Sequence, residues 1–567
     1  MNKNLQRVQY HFNYEFYMKL ILQKLQQNWR SGLSVALISL PLSISLGVAS
    51  GATPVMGIIT AVWAGLMAGI FGGSNYNIIG PAGALSGILA AFAMGAGPAL
   101  LPMVALFTGL FVLMAYFFKL EQYLVLIPKT IMFGFSLGVG LIIGAGQLQN
   151  ALQISDIPKH EEFIKNIIEV FKHLNMTYVP ALMITVIVAS LLLIFSKHLK
   201  KVPGVIIVAP VGILLGYLSH NNLIPLDFVT LLDKFGNTPL KLIAIPQFAI
   251  SEKIIVTAIS VAFIAILETL ISAKMGDIAT RTKFNSRKEL LGLSLANIIS
   301  GIFGGLPATG VFVRTGLNIK SNATHKTSQI LNALFVAAIG LLLFKVFIYI
   351  PLCVVAGILI YAAIKMVEMH ELQYLYERSK KDFIIAIGVA VLMFTIDTIV
   401  GLMVGVVIVL LSMVKNMAKA QFELTTNNDD HALTCRAYDD AEISHVKESN
   451  TTVYSFKGSL IYINADEHKE RIMTRVPHSH NVVLRLRELA LIDIDGLRAF
   501  SEIIKELESQ GVKVLCSSAH NGVMEMISKS EVYDYMKEKN MFFATTSDAL
   551  KELGYSQDDL LCGKRTY

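Results

Sequence analysis

The segment running from Glu268-Thr269-Leu270-Ile271-Ser272 through Arg281-Thr282-Lys283 and Arg287-Lys288-Glu289 to Phe303-Gly304-Gly305-Leu306-Pro307-Ala308-Thr309-Gly310-Val311-Phe312-Val313-Arg314 decides how this chain is read. It predicts an apolar helix carrying one carboxylate, Glu268. A basic turn follows, then a second apolar helix from Glu289 to Phe303, a Gly/Pro break, and a short apolar run holding Arg314. Charges in such apolar runs are expensive in lipid and normally face a partner or a wet cavity. Backbone that leaves the helix at membrane depth is tolerated only where it lines a cavity or is buried in protein.

The composition agrees with a membrane setting. The 567 residues are 54% hydrophobic and only 16% charged, and the mean hydropathy is +0.58. From Ser31 to about Ala420 the apolar residues fall in repeated runs of roughly 20, the length of a membrane helix. From about Gln421 the composition becomes that of a soluble domain. The expected organisation is a cytoplasmic segment over 1–30, a transmembrane transport domain over 31–420, a linker over 421–433 and an α/β domain over 434–567. The net charge of +7 fits basic loops on one membrane face and gives no reason to expect nucleic acid as a partner. Cys353, Cys435, Cys516 and Cys562 have neither metal-ligand spacing nor a disulfide pattern. The polar start, Met1 to Arg30, contains no cleavable leader and is expected to form an amphipathic helix on the membrane.

Counting outward gives spans at Ser31–Ser50 (kinked at Pro41), Pro54–Phe71, a short run to Met94, Ala99–Phe118, Leu124–Ile143, Tyr178–Phe195 and Pro203–Leu218. The second half gives Ile254–Ala273, Glu289–Phe303, a short run after Thr309, Ile330–Phe347, Ile350–Ile364, Phe383–Ile396 and Ile399–Met413. That is about fourteen spans. Lys119, Lys129, Lys197, Lys200, Lys201, the Lys274–Lys288 cluster, Lys320, Lys326, Arg378, Lys380 and Lys381 then fall on the side of the termini. Lys159, Lys165, Lys172, Lys234 and Lys241 fall opposite. Basic loops mark the cytoplasm, which places both termini inside.

An internal echo locates the site. Phe71-Gly72-Gly73 is followed by Gly80-Pro81-Ala82-Gly83, and Phe303-Gly304-Gly305 by Pro307-Ala308-Thr309-Gly310. Each precedes a short apolar run, at the third position of one half and of the other. Gly/Pro-interrupted segments at matching positions of two halves point to a transporter's binding site. An odd number of spans per half inverts one half relative to the other.

These residues resemble the SulP family of anion transporters, known in animals as the SLC26 carriers and prestin. The resemblance is carried by Gly32-Leu33-Ser34-Val35-Ala36-Leu37-Ile38-Ser39-Leu40-Pro41, by Gly72-Gly73-Ser74 through Gly80-Pro81-Ala82-Gly83, and by Leu290-Leu291-Gly292 through Ala296-Asn297. Phe303 through Gly310, Arg314-Thr315 and Asn318-Ile319 complete it. It implies a polytopic helical protein with a seven-plus-seven inverted repeat, split into core and gate domains. It also implies an anion held between two half-helices, a homodimer, a prokaryotic cytoplasmic (inner) membrane location and a C-terminal STAS domain. Two departures stand out. Leu42 follows the first-span proline where many relatives carry Gln or Glu, as in the cyanobacterial bicarbonate branch. Against that branch, the eighth-span acid is Glu268 rather than Asp.

The candidate substrate residues are Pro81, Ala82, Gly83 and Ala84 with Thr309, Gly310, Val311 and Phe312. Two helix N-termini facing each other bind an anion through unpaired N–H groups and dipole ends. The plainer alternative is a pair of ordinary glycine kinks. Arg314, about one turn into its half-helix, adds positive potential there; the alternative is an arginine snorkelling to a headgroup or neutralised by Glu268. Glu268 is the coupling candidate, because a carboxylate out of water readily carries a proton. It also supplies oxygen for Na⁺, with Ser272 one turn on. The alternative is a structural ion pair with Arg314. Asp397, near a span junction, reads as structural.

In the C-terminal domain, Val453–Phe456 and Leu460–Ile463 read as two strands around Lys457-Gly458. Asn481–Leu486 and Gly511–Cys516 read as strands, and Leu497–Ser509 as an amphipathic helix. Leu491-Ile492-Asp493-Ile494-Asp495-Gly496-Leu497 resembles the STAS signature. Asp495 stands where a phosphorylatable Ser or Thr precedes the glycine in sigma-factor antagonists, so a folding, trafficking or partner-docking role is expected. The function expected is uptake of sulfate or bicarbonate, with dicarboxylate next, driven by H⁺ or Na⁺. A channel-like anion pathway is the alternative. There is no nucleotide-binding P-loop, no enzyme active site, and no cofactor apart from Na⁺ as a coupling ion. Small anions, lipid and a cytoplasmic partner of the STAS domain are the expected partners.

Overall fold

The computed structural model describes residues 2–122, 128–155, 157–158, 160, 162–198, 204–367, 369–396, 398–417, 419–427, 433–437, 450–474 and 479–555. Lys159, Lys200, Lys201, Asp397, His431 and Cys562 lie outside them, as does the expected span start at Leu124. The chain forms two compact units, residues 1–408 and 409–567.

In the first unit the apolar helices are α1 Asn2–Ala49, α2 Pro54–Phe71, α3 Gly83–Ala96, α4 Leu101–Phe117, α5 Lys129–Gly146, α6 Val179–His198 and α7 Val205–His220. The second set is α8 Glu252–Thr280, α9 Ser286–Ile302, α10 Phe312–Lys320, α11 Thr327–Phe347, α12 Leu352–Met366, α13 Lys380–Thr395 and α14 Thr398–Met417, the last crossing into the second unit. Among the described residues, eight helices are long and apolar enough to cross a membrane, and Gly83–Ala96, Val205–His220 and Val400–Lys415 are shorter apolar helices. Length and apolarity alone therefore carry fewer crossings than the sequence count. The polar start and the first span are one helix of 48 residues that continues through Pro41.

Local sequence sets the helix ends. Thr53 caps α2 by accepting from Met56 N, with Pro54 at the first helical position where its missing N–H costs nothing. Ser251 caps α8 and Asn285 caps α9, each side chain accepting from a backbone N–H three residues on. Helix α8 stops at Arg281, whose φ is +56°. The Asp277 carboxylate then accepts from Thr282 Oγ1 at 2.7 Å and Phe284 N at 2.6 Å, holding the basic turn.

Packing sorts the helices into two groups. Helix α9 lies against α4 and α2, α11 against α1 and α2, and α8 against α4. Helix α13 lies against α5, and α12 against α6 and α5. Large apolar side chains such as Leu342 (79% exposed) and Val211 (62%) point outward. So much exposed apolar surface would be untenable in water and is what a lipid-facing shell requires.

The second unit carries a six-stranded sheet. Its strands are β3 Phe422–Asn427, β4 Leu433–Ala437, β5 Thr451–Leu460, β6 Asn481–Ile492, β7 Lys513–Ser517 and β8 Phe542–Phe543, in the order β4-β3-β5-β6-β7-β8. The sheet begins at Phe422, inside the stretch expected to be a linker, because Phe422, Leu424 and Thr426 alternate into the interior. The two strands expected around Lys457-Gly458 are one: Gly458 takes φ +78° and a register shift absorbs it. The helix Ile494–Ser509 buries Phe500, Ile503 and Ile504 against the sheet. Asp493 caps it, accepting from Gly496 N at 2.8 Å and Tyr462 N at 3.0 Å.

Candidate anion site

Two short strands, β1 Ile79–Gly80 and β2 Thr309–Gly310, pair antiparallel, with Ile79 opposite Gly310 and Gly80 opposite Thr309. Each leads into a half-helix, α3 from Gly83 and α10 from Phe312. Ala82 and Val311 are the extended residues before them, and neither offers a side-chain cap. Pro81 keeps the chain extended before α3, since a proline disfavours helical geometry in the residue preceding it. The echo in the sequence is thus a physical crossing, and the two helix N-termini it launches are free of side-chain caps.

Pro81, Ala82, Gly83 and Ala84 are buried, as are Thr309 and Gly310; Val311 and Phe312 are half-buried. A side chain at Gly310 would sit 2.8 Å from Asn77 Nδ2 and 2.9 Å from the Thr269 Cα. Gly83 lies against Ile143 of α5, where an added Cβ would come within 2.2 Å of Cδ1. A cavity of about 380 Å³ opens beside Gly83 and Ile143, lined by Ser86, Gly87 and Ala90 of α3, Ile142 and Ile143 of α5, and Lys234.

Arg314 lies in the first turn of α10 and is 1% exposed. Its Nη2 donates to Ser43 Oγ of α1 at 3.2 Å, while Nε has no hydrogen-bond partner. Gly80 leaves room for the guanidinium, because a Cβ there would meet Nη1 at 2.6 Å. Among the described residues no ion pair joins Arg314 to Glu268 or to any other acid.

Glu268, also 1% exposed, accepts instead from Thr309 Oγ1 at 2.6 Å. Its neighbour Thr269 accepts from Gly310 N at 2.8 Å. Helix α8 therefore holds β2 through two adjacent residues. Ser272 is on the same helix, but its hydroxyl is engaged elsewhere: it donates to Asn77 Oδ1 at 2.8 Å and lies 3.0 Å from Thr315 Oγ1. The structure thus brings Glu268 to Thr309 and Arg314 to Ser43, and leaves Ser272 in a separate polar cluster. No group of three or more His, Cys, Asp or Glu side chains suited to a metal occurs among the described residues.

Several supporting residues emerge only from the fold. Asn297 accepts from Ala308 N at 2.8 Å and donates to Ala308 O at 3.0 Å, fixing the approach to β2. Thr60 accepts from Leu306 N at 2.7 Å, and Gln329 donates to Ile79 O at 3.1 Å. Glu289 is buried and accepts from Gly73 N, Ser74 N and Asn77 Nδ2 at 2.7, 2.8 and 2.7 Å. A polar residue set in an apolar helix is the signal that the sequence offers for Thr60, Asn297 and Gln329.

The sequence model of the Sulfate permease family matches residues 25–389, well over half of the chain, and that of the STAS domain matches residues 442–549. The chain belongs to the sulfate permease family. Members of this family are multi-pass anion transporters, not enzymes. Among curated relatives, the bicarbonate transporter BicA of Picosynechococcus sp. is 28% identical over 406 residues, covering 69% of this chain and 70% of that one. A solved structure of SLC26A9 superposes with a TM-score of 0.79 at 16% identity, covering 95% of this chain and 91% of that one, a likeness of fold. The transmembrane domain of a cyanobacterial BicA gives a TM-score of 0.56 at 25% identity, covering 68% and 97%.

Proposed function

We propose that this sulfate permease homologue takes up a small anion by secondary active transport with alternating access. Sulfate or bicarbonate is the first expectation and a dicarboxylate the next. The observation that carries the reading is the crossing itself: two uncapped half-helix N-termini beside a buried arginine that no described acid neutralises. A buried cation without a partner is costly, and a bound anion supplies the opposite charge. The relatives' names add support, since they are sulfate and bicarbonate transporters.

Coupling to H⁺ or Na⁺ is assigned to Glu268. Its hydrogen bond from Thr309 links it to β2, so occupancy of the carboxylate by a cation and occupancy of the crossing by an anion act on the same strand. Na⁺, where used, is transported cargo; Glu268 supplies its charge, and Ser272 would have to release Asn77 or Thr315 to join it. The setting proposed is a bacterial cytoplasmic (inner) membrane, with both termini cytoplasmic and the protein a homodimer. The STAS domain serves stability, assembly or a cytoplasmic partner.

The test is uptake of radiolabelled sulfate, bicarbonate and fumarate into proteoliposomes with imposed Na⁺ or H⁺ gradients. Accumulation of one anion that follows one gradient supports the proposal. Flux that persists undiminished with no gradient would instead make the chain a channel-like pathway.

A further inference from the structure

The core contains a second buried carboxylate that the transport reading leaves without a task. Glu289 lies in the first turn of α9 and is 2% exposed. One of its oxygens accepts from two successive backbone N–H groups, Gly73 and Ser74; the other accepts from the Asn77 side chain. These three donors come from the loop between α2 and β1. Lys326 grips the same loop, donating to Ile70 O at 2.7 Å and Gly72 O at 3.2 Å. Gly73 has no room for a side chain: a Cβ would sit 2.1 Å from Asn285 O.

Asn77 carries the constraint inward. Its Nδ2 donates to Glu289 Oε1 at 2.7 Å and to Thr269 O at 3.3 Å. Its Oδ1 accepts from Ser272 Oγ at 2.8 Å and Thr315 Oγ1 at 3.0 Å. The orientation is therefore determined, because a flipped carboxamide would set its oxygen against a carboxylate and a carbonyl. Thr315 in turn accepts from Ile78 N at 3.1 Å, and Val311 N donates to Ile78 O at 2.9 Å. Through one carboxamide, Glu289 is connected to α8, to the first turn of α10 and to β1.

We propose that Glu289 is a positioning residue for the anion site: by orienting Asn77 it holds Thr315 of α10 and Ser272 of α8 in register with β1. This rests on the crossing being the anion site. Glu289 touches no substrate and acts only through Asn77. Fully engaged by three donors, it is the fixed carboxylate of the pair, whereas Glu268 accepts one hydrogen bond.

The test uses E289Q, N77D and the double variant N77D/E289Q in the full-length protein. E289Q keeps the shape but sets an amide NH₂ against Asn77 Nδ2 or against the Gly73 and Ser74 N–H groups. The double variant exchanges carboxylate and carboxamide, so the introduced amide donates to position 77 while still accepting from the loop. E289Q should raise the half-saturating anion concentration by about tenfold or more, as expected for loss of a charge-assisted hydrogen bond. It should also speed amide exchange selectively in residues 77–85 and 309–318. The double variant should restore both. Unchanged exchange and anion response in E289Q would overturn the proposal. So would general loss of protection that the exchange of partners does not restore, since Glu289 would then be a packing element only. If the wild-type chain used none of the anions, the transport reading would fail, while the exchange measurement would still decide the role of Glu289.

Discussion

Thr309 donates its hydroxyl to Glu268 at 2.6 Å, one residue before Gly310 donates its N–H to Thr269. The acid of the long helix α8 is therefore bonded to the strand that launches the half-helix α10, not to the arginine one turn further along. That separates two charges which the sequence allowed to be a structural pair. Arg314 keeps its positive charge for the crossing, and Glu268 keeps an oxygen for a proton or a cation.

Arg314→Gln should weaken anion recognition without altering which gradient drives uptake. The guanidinium donates to Ser43 and has an unpartnered Nε. A charge-assisted hydrogen bond from it to the anion is worth about 2 kcal/mol, so its removal raises the half-saturating concentration roughly thirtyfold. Concentration-dependent uptake measures it. An unchanged half-saturation would make Arg314 a structural residue.

Gly310→Val should insert normally and fail to bind substrate. Its Cβ meets the Asn77 carboxamide and the α8 backbone at under 3.0 Å, so β2 must move. Overpacking of this kind costs about 1–3 kcal/mol, enough to displace the α10 N-terminus without unfolding the protein. Anion-induced thermal stabilisation checks this: it should vanish for Gly310→Val and persist for a conservative change at exposed Leu342.

The C-terminal unit should lose stability in acid through His468. Burial, aided by Arg471, pushes its ring down to about 3, and its Nδ1 is 2.7 Å from the Tyr454 hydroxyl. In the unfolded chain it titrates near pH 6.5. The stabilisation is therefore full above about pH 6.5 and is lost as pH falls toward about 3, at about 1.4 kcal/mol per unit. Hydrogen-exchange protection of Phe500 to Ile504, corrected for intrinsic rates, should drop between about pH 7 and about pH 5. His468→Gln should flatten that dependence.

Removing residues 420–567 should reduce yield, assembly or rate and leave the anion preference intact. Asp493 caps the helix Ile494–Ser509, and Asp495 cannot accept a phosphoryl group as a Ser or Thr would. A truncated, folded protein with a different anion preference would contradict this.

The crossing is legible in the sequence because glycine and proline leave marks that periodicity does not, and these marks recur at matching places. Glu268 and Arg314 are legible as charges inside apolar runs. Glu289 is not, since an acid beside Arg287-Lys288 at a helix start reads as a solvated first-turn residue. Its donors belong to the other half of the chain and come together only on folding. The linker expected over 421–433 fails for a similar reason: Phe422–Asn427 is short, and its place in the sheet depends on pairing with Thr452–Phe456. The division expected at Gly458 follows turn chemistry, where the folded strand uses the glycine inside a continuous ladder.

The central claim is that Glu268 couples a cation to anion uptake at the crossing. Its most direct test is uptake by Glu268→Gln in proteoliposomes, beside anion exchange across the same membranes without a gradient. Removing the charge while nearly preserving shape should abolish gradient-driven accumulation and leave exchange measurable. Because Arg314 is not its partner, neutralising Arg314 as well should not recover accumulation. Folded Glu268→Gln that still accumulates anion along the cation gradient would contradict the account.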